Sequence, residues 1–169
     1  LAPALGGDPD IAQQRLSLAR RMLQRCRGEA RASVADLRNP HLLERSLPEA
    51  MRESLPGNLG ESDAAFSFDV QGTPRALRVT TQNHLLRIAS EAVRNAARHG
   101  EPGKIEVRLG YGDEGVSLEI EDDGRGFDTT QAPPSGHFGL TGMRERANKI
   151  RAEISIDSKL GGGSMIRIF

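Results

Sequence analysis

The apolar positions of this chain repeat with two different periods, and the places where the period switches lay out its elements. Ile11, Leu18, Met22, Cys26, Ala30, Val34 and Leu37 recur mostly four apart and share one face of a long helix, Ile11 to Arg38. Asp8 or Asp10 can cap its start, Pro9 is tolerated in the first turn, and Asn39-Pro40 ends it. His41 to Gly60 reads as a connector with a short helix around Leu47 to Leu55. The period then drops to two. Phe66, Phe68 and Val70 alternate as in a half-buried strand. Thr81 to His99 returns to helical spacing. Ile105, Val107 and Leu109 alternate, and so do Val116, Leu118 and Ile120; the turn Gly112-Asp113-Glu114-Gly115 joins them into an antiparallel hairpin. After a Gly/Pro/Ser/Thr-rich stretch from Asp128 to Gly136, Leu140, Met143, Ala147 and Ile150 mark another helix. Ile154 and Ile156, then Met165, Ile166 and Ile168, form a closing hairpin around Gly161-Gly162-Gly163. From about residue 60 onward this predicts an α+β domain, with helices on one face of a mainly antiparallel sheet.

Composition narrows the possibilities. Lys+Arg and Asp+Glu balance at 23 each in 169 residues, so no electrostatic argument favours nucleic acid as a partner. Hydrophobic residues make up 37%, enough for a core, and no run of about 18 apolar residues suggests a membrane span. The opening LAPALGGDPD lacks the basic-then-apolar order of a secretory signal. The single cysteine, Cys26, can form neither an internal disulfide nor a multi-cysteine metal site; it falls on the apolar stripe of the long helix and reads as packing. The opposite face of that helix carries Arg15, Arg20, Arg21, Arg25, Arg27 and Arg31, most simply a solvated charged face. With one apolar stripe and no partner helix before it, the helix is expected to pair with a helix of another chain.

Three segments could carry chemistry. In the helix Thr81 to His99, Leu85, Ala89, Ala92, Val93 and Ala96 form one apolar sector. Glu91, Asn95 and His99 lie four apart beside it, with Arg87, Arg94 and Arg98 toward solvent. A carboxylate, an amide and an imidazole where core meets water could hold a cation and phosphates, or be ordinary boundary polar residues. The second segment, Glu121-Asp122-Asp123-Gly124-Arg125-Gly126-Phe127, follows a strand. It is either a plain Asp-Gly turn or a site where Asp122 accepts a hydrogen bond from an exocyclic amine. In that second case Gly124 and Gly126 let the backbone approach a flat base. The third segment, residues 135–147, spaces Gly136, Gly139 and Gly142 three apart into a helix start. Exposed backbone N–H groups there favour phosphate, although a flexible glycine-rich loop would look the same. The pattern is neither a dinucleotide-binding fingerprint nor a P-loop.

Order and spacing of these segments together carry a family resemblance. SEAVRNAARHG resembles the N box of the superfamily that joins DNA gyrase, a heat-shock chaperone, histidine kinases and mismatch-repair ATPases. EDDGRGF resembles its Asp-x-Gly-x-Gly box and GHFGLTGMRERA its second glycine box. GGGS at 161–164 resembles the terminal Gly-x-Gly-Thr box, with Ser164 in place of threonine. The wording of the second glycine box is most similar to sensor histidine kinases that pair with helix-turn-helix response regulators. EARASVADLR resembles the second helix of that subfamily's dimerisation and phosphoacceptor hairpin.

The resemblance implies a two-layer α/β sandwich with ATP between helices and sheet, preceded by a long helix from a dimerisation hairpin. Residues 1–40 would be the hairpin remnant, 41–60 a linker and 61–169 the catalytic ATP-binding domain. It implies that Asp122 accepts the adenine amino group, Gly124 and Gly126 shape the base pocket, and Ser164 supports Asp122 through a water. Asn95 would coordinate Mg²⁺ on the phosphates, Glu91 would sit near the metal and help activate the attacking group, and His99 would line the phosphate side. Gly136, His137, Phe138, Gly139, Leu140 and Gly142 would form the lid and phosphate cradle. Such a domain transfers the γ-phosphoryl of ATP by positioning and charge neutralisation. The implied partners are the acceptor helix of the parent kinase, a second copy in a homodimer and, indirectly, a helix-turn-helix response regulator. The implied location is cytoplasmic, compatible with a parent anchored in the inner membrane.

One departure stands out. The histidines His41, His84, His99 and His137 all lie outside an acidic Leu-His-Asp-like acceptor context. The expectation is therefore a fragment that starts after the acceptor helix and does not autophosphorylate alone. Two other classes remain open: a stand-alone serine protein kinase or ATP hydrolase on the same fold, and a non-catalytic dimerisation module.

Overall fold

The computed structural model describes residues 45–129 and 138–169. The expected long helix, Gly136, His137 and most of the stretch between Asp128 and Gly136 lie outside the described residues, as does the side chain of Phe138. All described residues belong to one compact unit, Pro40–Phe169.

Helix α1, Leu47–Ser54, begins where Ser46 donates to the Glu49 carboxylate from both its backbone N–H (2.8 Å) and its hydroxyl (2.7 Å). It buries Leu47, Ala50 and Met51 and leads through a 3₁₀ turn, Pro56–Asn58, to strand β1, Ala65–Gln71. Helix α2 spans Val79–Asn95 and widens into a π-helical turn, Ala96–Gly100. Strands β2 (Lys104–Tyr111) and β3 (Val116–Asp122) follow, then helix α3 (Phe138–Lys149) and strands β4 (Ile154–Ser158) and β5 (Ser164–Ile168).

The sheet order is β1-β2-β3-β5-β4. β1 and β2 run parallel, as they must when a helix crosses between them; the remaining pairs are antiparallel. The two expected hairpins form, with Leu109 opposite Leu118 and Ile156 opposite Ile166. Ile105, Val107, Leu109, Leu118, Ile120, Ile166 and Ile168 cover one sheet face and pack against Leu85, Ile88, Ala89, Val93, Met143 and Ala147 from the helices. The domain is therefore the expected two-layer α+β sandwich.

α2 is buried over a wider arc than the expected sector. Leu86 and Ile88 join the core, and the polar Asn83 and His84 are buried with them. Arg87, expected on the solvent side, is half-buried with its Nε out of contact with water. Arg94 and Arg98 are exposed as expected.

Candidate functional site

Three neighbouring strands end in polar residues on a face that is apolar along their length. β3 runs Leu118, Ile120, Asp122; β5, read backwards, runs Ile168, Ile166, Ser164; β4 runs Ile154, Ile156, Ser158. A period of two puts each set on one side of its strand. The register places Asp122 opposite Ser164 and Ser164 opposite Ser158, so the polar ends form one row across the sheet. Asp122 thus sits at the edge of the core, half-buried.

That burial raises the Asp122 carboxyl above its ordinary 3.8, with the charge of Asp123 acting in the same direction. Hydrogen bonds to the ionised form pull the other way. The Gly124 N–H donates to Asp122 Oδ1 at 3.0 Å, and Ser164, opposite Asp122 on β5, also favours the ionised form. Ser164 stands directly opposite Asp122 across the β3–β5 pair, close enough to support it.

The two glycines of the same loop are required by the protein's own packing. A Cβ on Gly124 would lie 2.4 Å from the Gly100 carbonyl oxygen and 2.9 Å from Asp122 Oδ1. Arg125 N–H donates to that same Gly100 carbonyl at 2.8 Å. Gly126 has φ +59°, and a Cβ there would lie 2.1 Å from the Lys159 carbonyl oxygen. Protein backbone by itself excludes a side chain at both positions. These contacts clamp the loop between the end of α2 and the β4–β5 turn. Gly163, at φ +71°, comes equally close to the Asp122 carbonyl.

Glu91 and Asn95 lie on α2 facing the start of α3. A Cβ on Gly139 would meet Glu91 Oε1 at 2.6 Å and Asn95 Nδ2 at 2.9 Å, so the second glycine segment is drawn directly onto these two side chains. Glu91 is mostly buried and also pairs with Arg94. His99 is exposed, and the π turn separates it from the four-residue stripe, because that turn carries more residues per revolution than an α-helix. Leu140 is half-buried and packs against the core. A Cβ on Gly142 would meet only the flexible guanidinium of Arg146, at 2.7 Å.

A depression of about 340 Å³ opens at the sheet end, lined among others by Asp122, Thr129, Ser158, Lys159, Gly163 and Ser164. Glu91, Asn95 and Gly139 are not among the described residues lining it. Sequence reasoning passed over Ser158 and gave no separate role to Gly163 or Gly100, which lie inside the boxes it quoted. Extending the Ile154, Ile156 alternation by one step would have found Ser158.

The donor set suits a nucleotide. Asp122 is an acceptor-only group held partly out of water, fit to receive an amino hydrogen. No group of three or more His, Cys, Asp or Glu able to hold a metal ion occurs among the described residues. Glu91 and Asn95 fit instead a cation that brings water and phosphate oxygens as its other ligands.

The sequence from residue 80 to 169 matches the family model described as histidine kinase-, DNA gyrase B-, and HSP90-like ATPase. The sensor histidine kinase LiaS of Bacillus subtilis is 30% identical over 159 residues, 94% of this chain and 43% of that protein. The nitrate/nitrite sensor protein NarX of Escherichia coli is 32% identical over 88% of this chain and 26% of its own length. The chain thus spans less than half the length of these relatives. Among solved structures, the histidine kinase domain of the Erythrobacter litoralis EL346 blue-light activated histidine kinase superposes with a TM-score of 0.61 at 21% identity, over 73% of this chain and 59% of that one. The Acinetobacter baumannii histidine kinase AdeS gives 0.60 at 16% identity, over 97% and 85%. The last two likenesses concern the fold.

Proposed function

Because the chain belongs to the histidine kinase-, DNA gyrase B-, and HSP90-like ATPase family, we propose that it is the ATP-binding catalytic part of a sensor histidine kinase. Its reaction is transfer of the γ-phosphoryl of ATP to a histidine on the acceptor helix of the parent protein. The observation that carries this reading is the row at the sheet end: a half-buried Asp122 oriented by Ser164 and Gly124 beside an open depression.

In this reading Asp122 accepts the adenine amino hydrogen, and Gly124 and Gly126 hold its loop at the right depth. Asn95 offers an amide oxygen to Mg²⁺, and Glu91 stands beside it near the attacking group. Mg²⁺, when bound with the nucleotide, supplies charge neutralisation on the phosphates. The start of α3 directs backbone N–H groups toward phosphate, with Gly139 keeping that end close to Asn95. Gly136, His137 and Phe138 complete the lid and Gly142 the cradle, and His99 flanks the phosphates. Catalysis is positioning and electrostatics. The parent is a homodimer that passes its phosphoryl group to a helix-turn-helix response regulator, with this domain in the cytoplasm. None of the described helices is long and apolar enough to cross a membrane.

Calorimetry tests the assignment. ATP and ADP bind and GTP does not, since guanine presents a carbonyl where adenine presents its amine. Asp122→Asn weakens ATP binding by roughly 10- to 100-fold, the value of a charge-assisted hydrogen bond. Equal affinity for ATP and GTP overturns it.

A further inference from the structure

Ser158 has no place in the roles given so far, yet its hydroxyl touches three separate pieces of the sheet-end site. Its Oγ accepts from the Phe127 N–H at 2.9 Å, donates to the Gly163 carbonyl at 2.8 Å, and lies 3.1 Å from Ser164 Oγ. Phe127 closes the segment that carries Asp122, Gly124 and Gly126. Gly163 lies in the turn that presses on the Asp122 backbone. Ser164 stands opposite Asp122 on the next strand and favours its ionised form.

The register makes this more than a local contact. Ser158 is the last member of the row Asp122–Ser164–Ser158, each residue opposite the next. Ser158 Oγ has a single proton, which it directs to the Gly163 carbonyl, so it meets Ser164 Oγ as an acceptor and fixes where that hydroxyl sits beside Asp122. At the same time Phe127 N–H reaches across 31 residues of sequence to the Ser158 hydroxyl. A group that fixes both a hydroxyl donor and the backbone of the loop it serves sets the orientation of the carboxylate between them.

We propose that Ser158 is a positioning residue for the base-recognition end of the site: through Ser164 and Phe127 it holds the Asp122 carboxylate in the geometry that accepts an exocyclic amine. This rests on the nucleotide reading above for its ligand, but not for the geometry. The titratable or charged groups near Asp122 are Asp123, which follows it in sequence, together with Glu121, Asp157 and Lys159, which line the same depression.

The test uses the whole chain with Ser158→Ala, Ser158→Thr and Ser158→Cys. Cysteine keeps nearly the same volume but is a poor donor, which covers the case in which the alanine variant does not fold. Two readouts are taken. In the nucleotide-free protein, the carboxyl carbon of Asp122 is titrated by NMR; Ser158→Ala and Ser158→Cys move its midpoint because the hydroxyl and loop backbone that surround the carboxylate are released, and Ser158→Thr restores it. In the second readout, ATP affinity falls about tenfold in the alanine and cysteine variants, the scale of one hydrogen bond, and recovers in the threonine variant. Folded variants that leave the Asp122 midpoint unmoved overturn the proposal. If the midpoint moves as stated but the wild-type chain binds no ATP, the positioning role stands and the nucleotide reading fails.

Discussion

The two ends of the candidate site are built by different means. The sheet end, around Asp122, is fixed by strand register and by backbone pressed on backbone: Gly124 against Gly100, Gly126 against Lys159, Gly163 against Asp122. The helix end, around Asn95, is fixed by two helices meeting at one glycine, with Gly139 set against Glu91 and Asn95. The first depends on a continuous sheet and cannot shift without breaking hydrogen bonds. The second depends on helix packing, which tolerates sliding at lower cost. The difference teaches where rigidity is invested: in the end proposed to read the base, while the end proposed to meet phosphates is held by elements free to adjust.

The sharpest way to break this comparison is Gly126→Ala. A Cβ 2.1 Å from a carbonyl oxygen at φ +59° cannot be accommodated without moving backbone. Denaturant unfolding is expected to show a loss of about 3 kcal/mol. A loss under about 1 kcal/mol would mean that the loop is as adjustable as the helix end.

Asn95→Ala comes next and probes the other end. Phosphoryl transfer to a separately supplied acceptor helix falls roughly a hundredfold, while affinity for ADP without Mg²⁺ changes little. Unfolding should barely respond, since Asn95 is only half-buried. Equal losses of ADP binding and transfer would show that the two ends are not separable.

A smaller effect of opposite sign is expected from Asp122→Asn on stability. Burial raises the Asp122 carboxyl in the folded state above 3.8. Between the unfolded and folded values the native state holds the proton and the unfolded state does not, so stability falls as pH rises through that window. At neutral pH the charged carboxyl is therefore a net cost in the native state. The nucleotide-free Asn variant should resist denaturant slightly better than wild type at pH 7, with the gap closing as pH falls below the window. ATP affinity of the wild type should run the other way, weakening on acidification as the acceptor is protonated. A variant less stable at pH 7 would contradict the burial cost.

Arg94→Ala should do least. Arg94 pairs with Glu91 from an exposed position, and such pairs contribute within about 0.5 kcal/mol. A larger loss would place the helix end among the rigidly fixed parts.

The chain's own pattern determined more than its elements. Alternation in β2 to β5 fixed the hairpins and their buried face, because a one-residue slip would expose every apolar side chain. The order of the boxes pointed to Asp122, Asn95 and Gly139, and Asp122 does meet Ser164 in space. Even the polar row was written in the sequence, since Ser158 continues the Ile154, Ile156 alternation, although nothing local says that a serine there faces another strand's serine.

Tertiary structure alone decided the rest. It set the parallel pairing of β1 with β2. It turned the end of α2 into a π turn that takes His99 off the Glu91–Asn95 stripe. It gave the glycines at 124 and 126 their reason, which is the approach of Gly100 and Lys159 from distant parts of the chain. The physical cause is the same in each case. Period and turn chemistry act over a few neighbouring residues, whereas close approach of two backbones depends on how whole elements stack, and that is settled only when the core is filled.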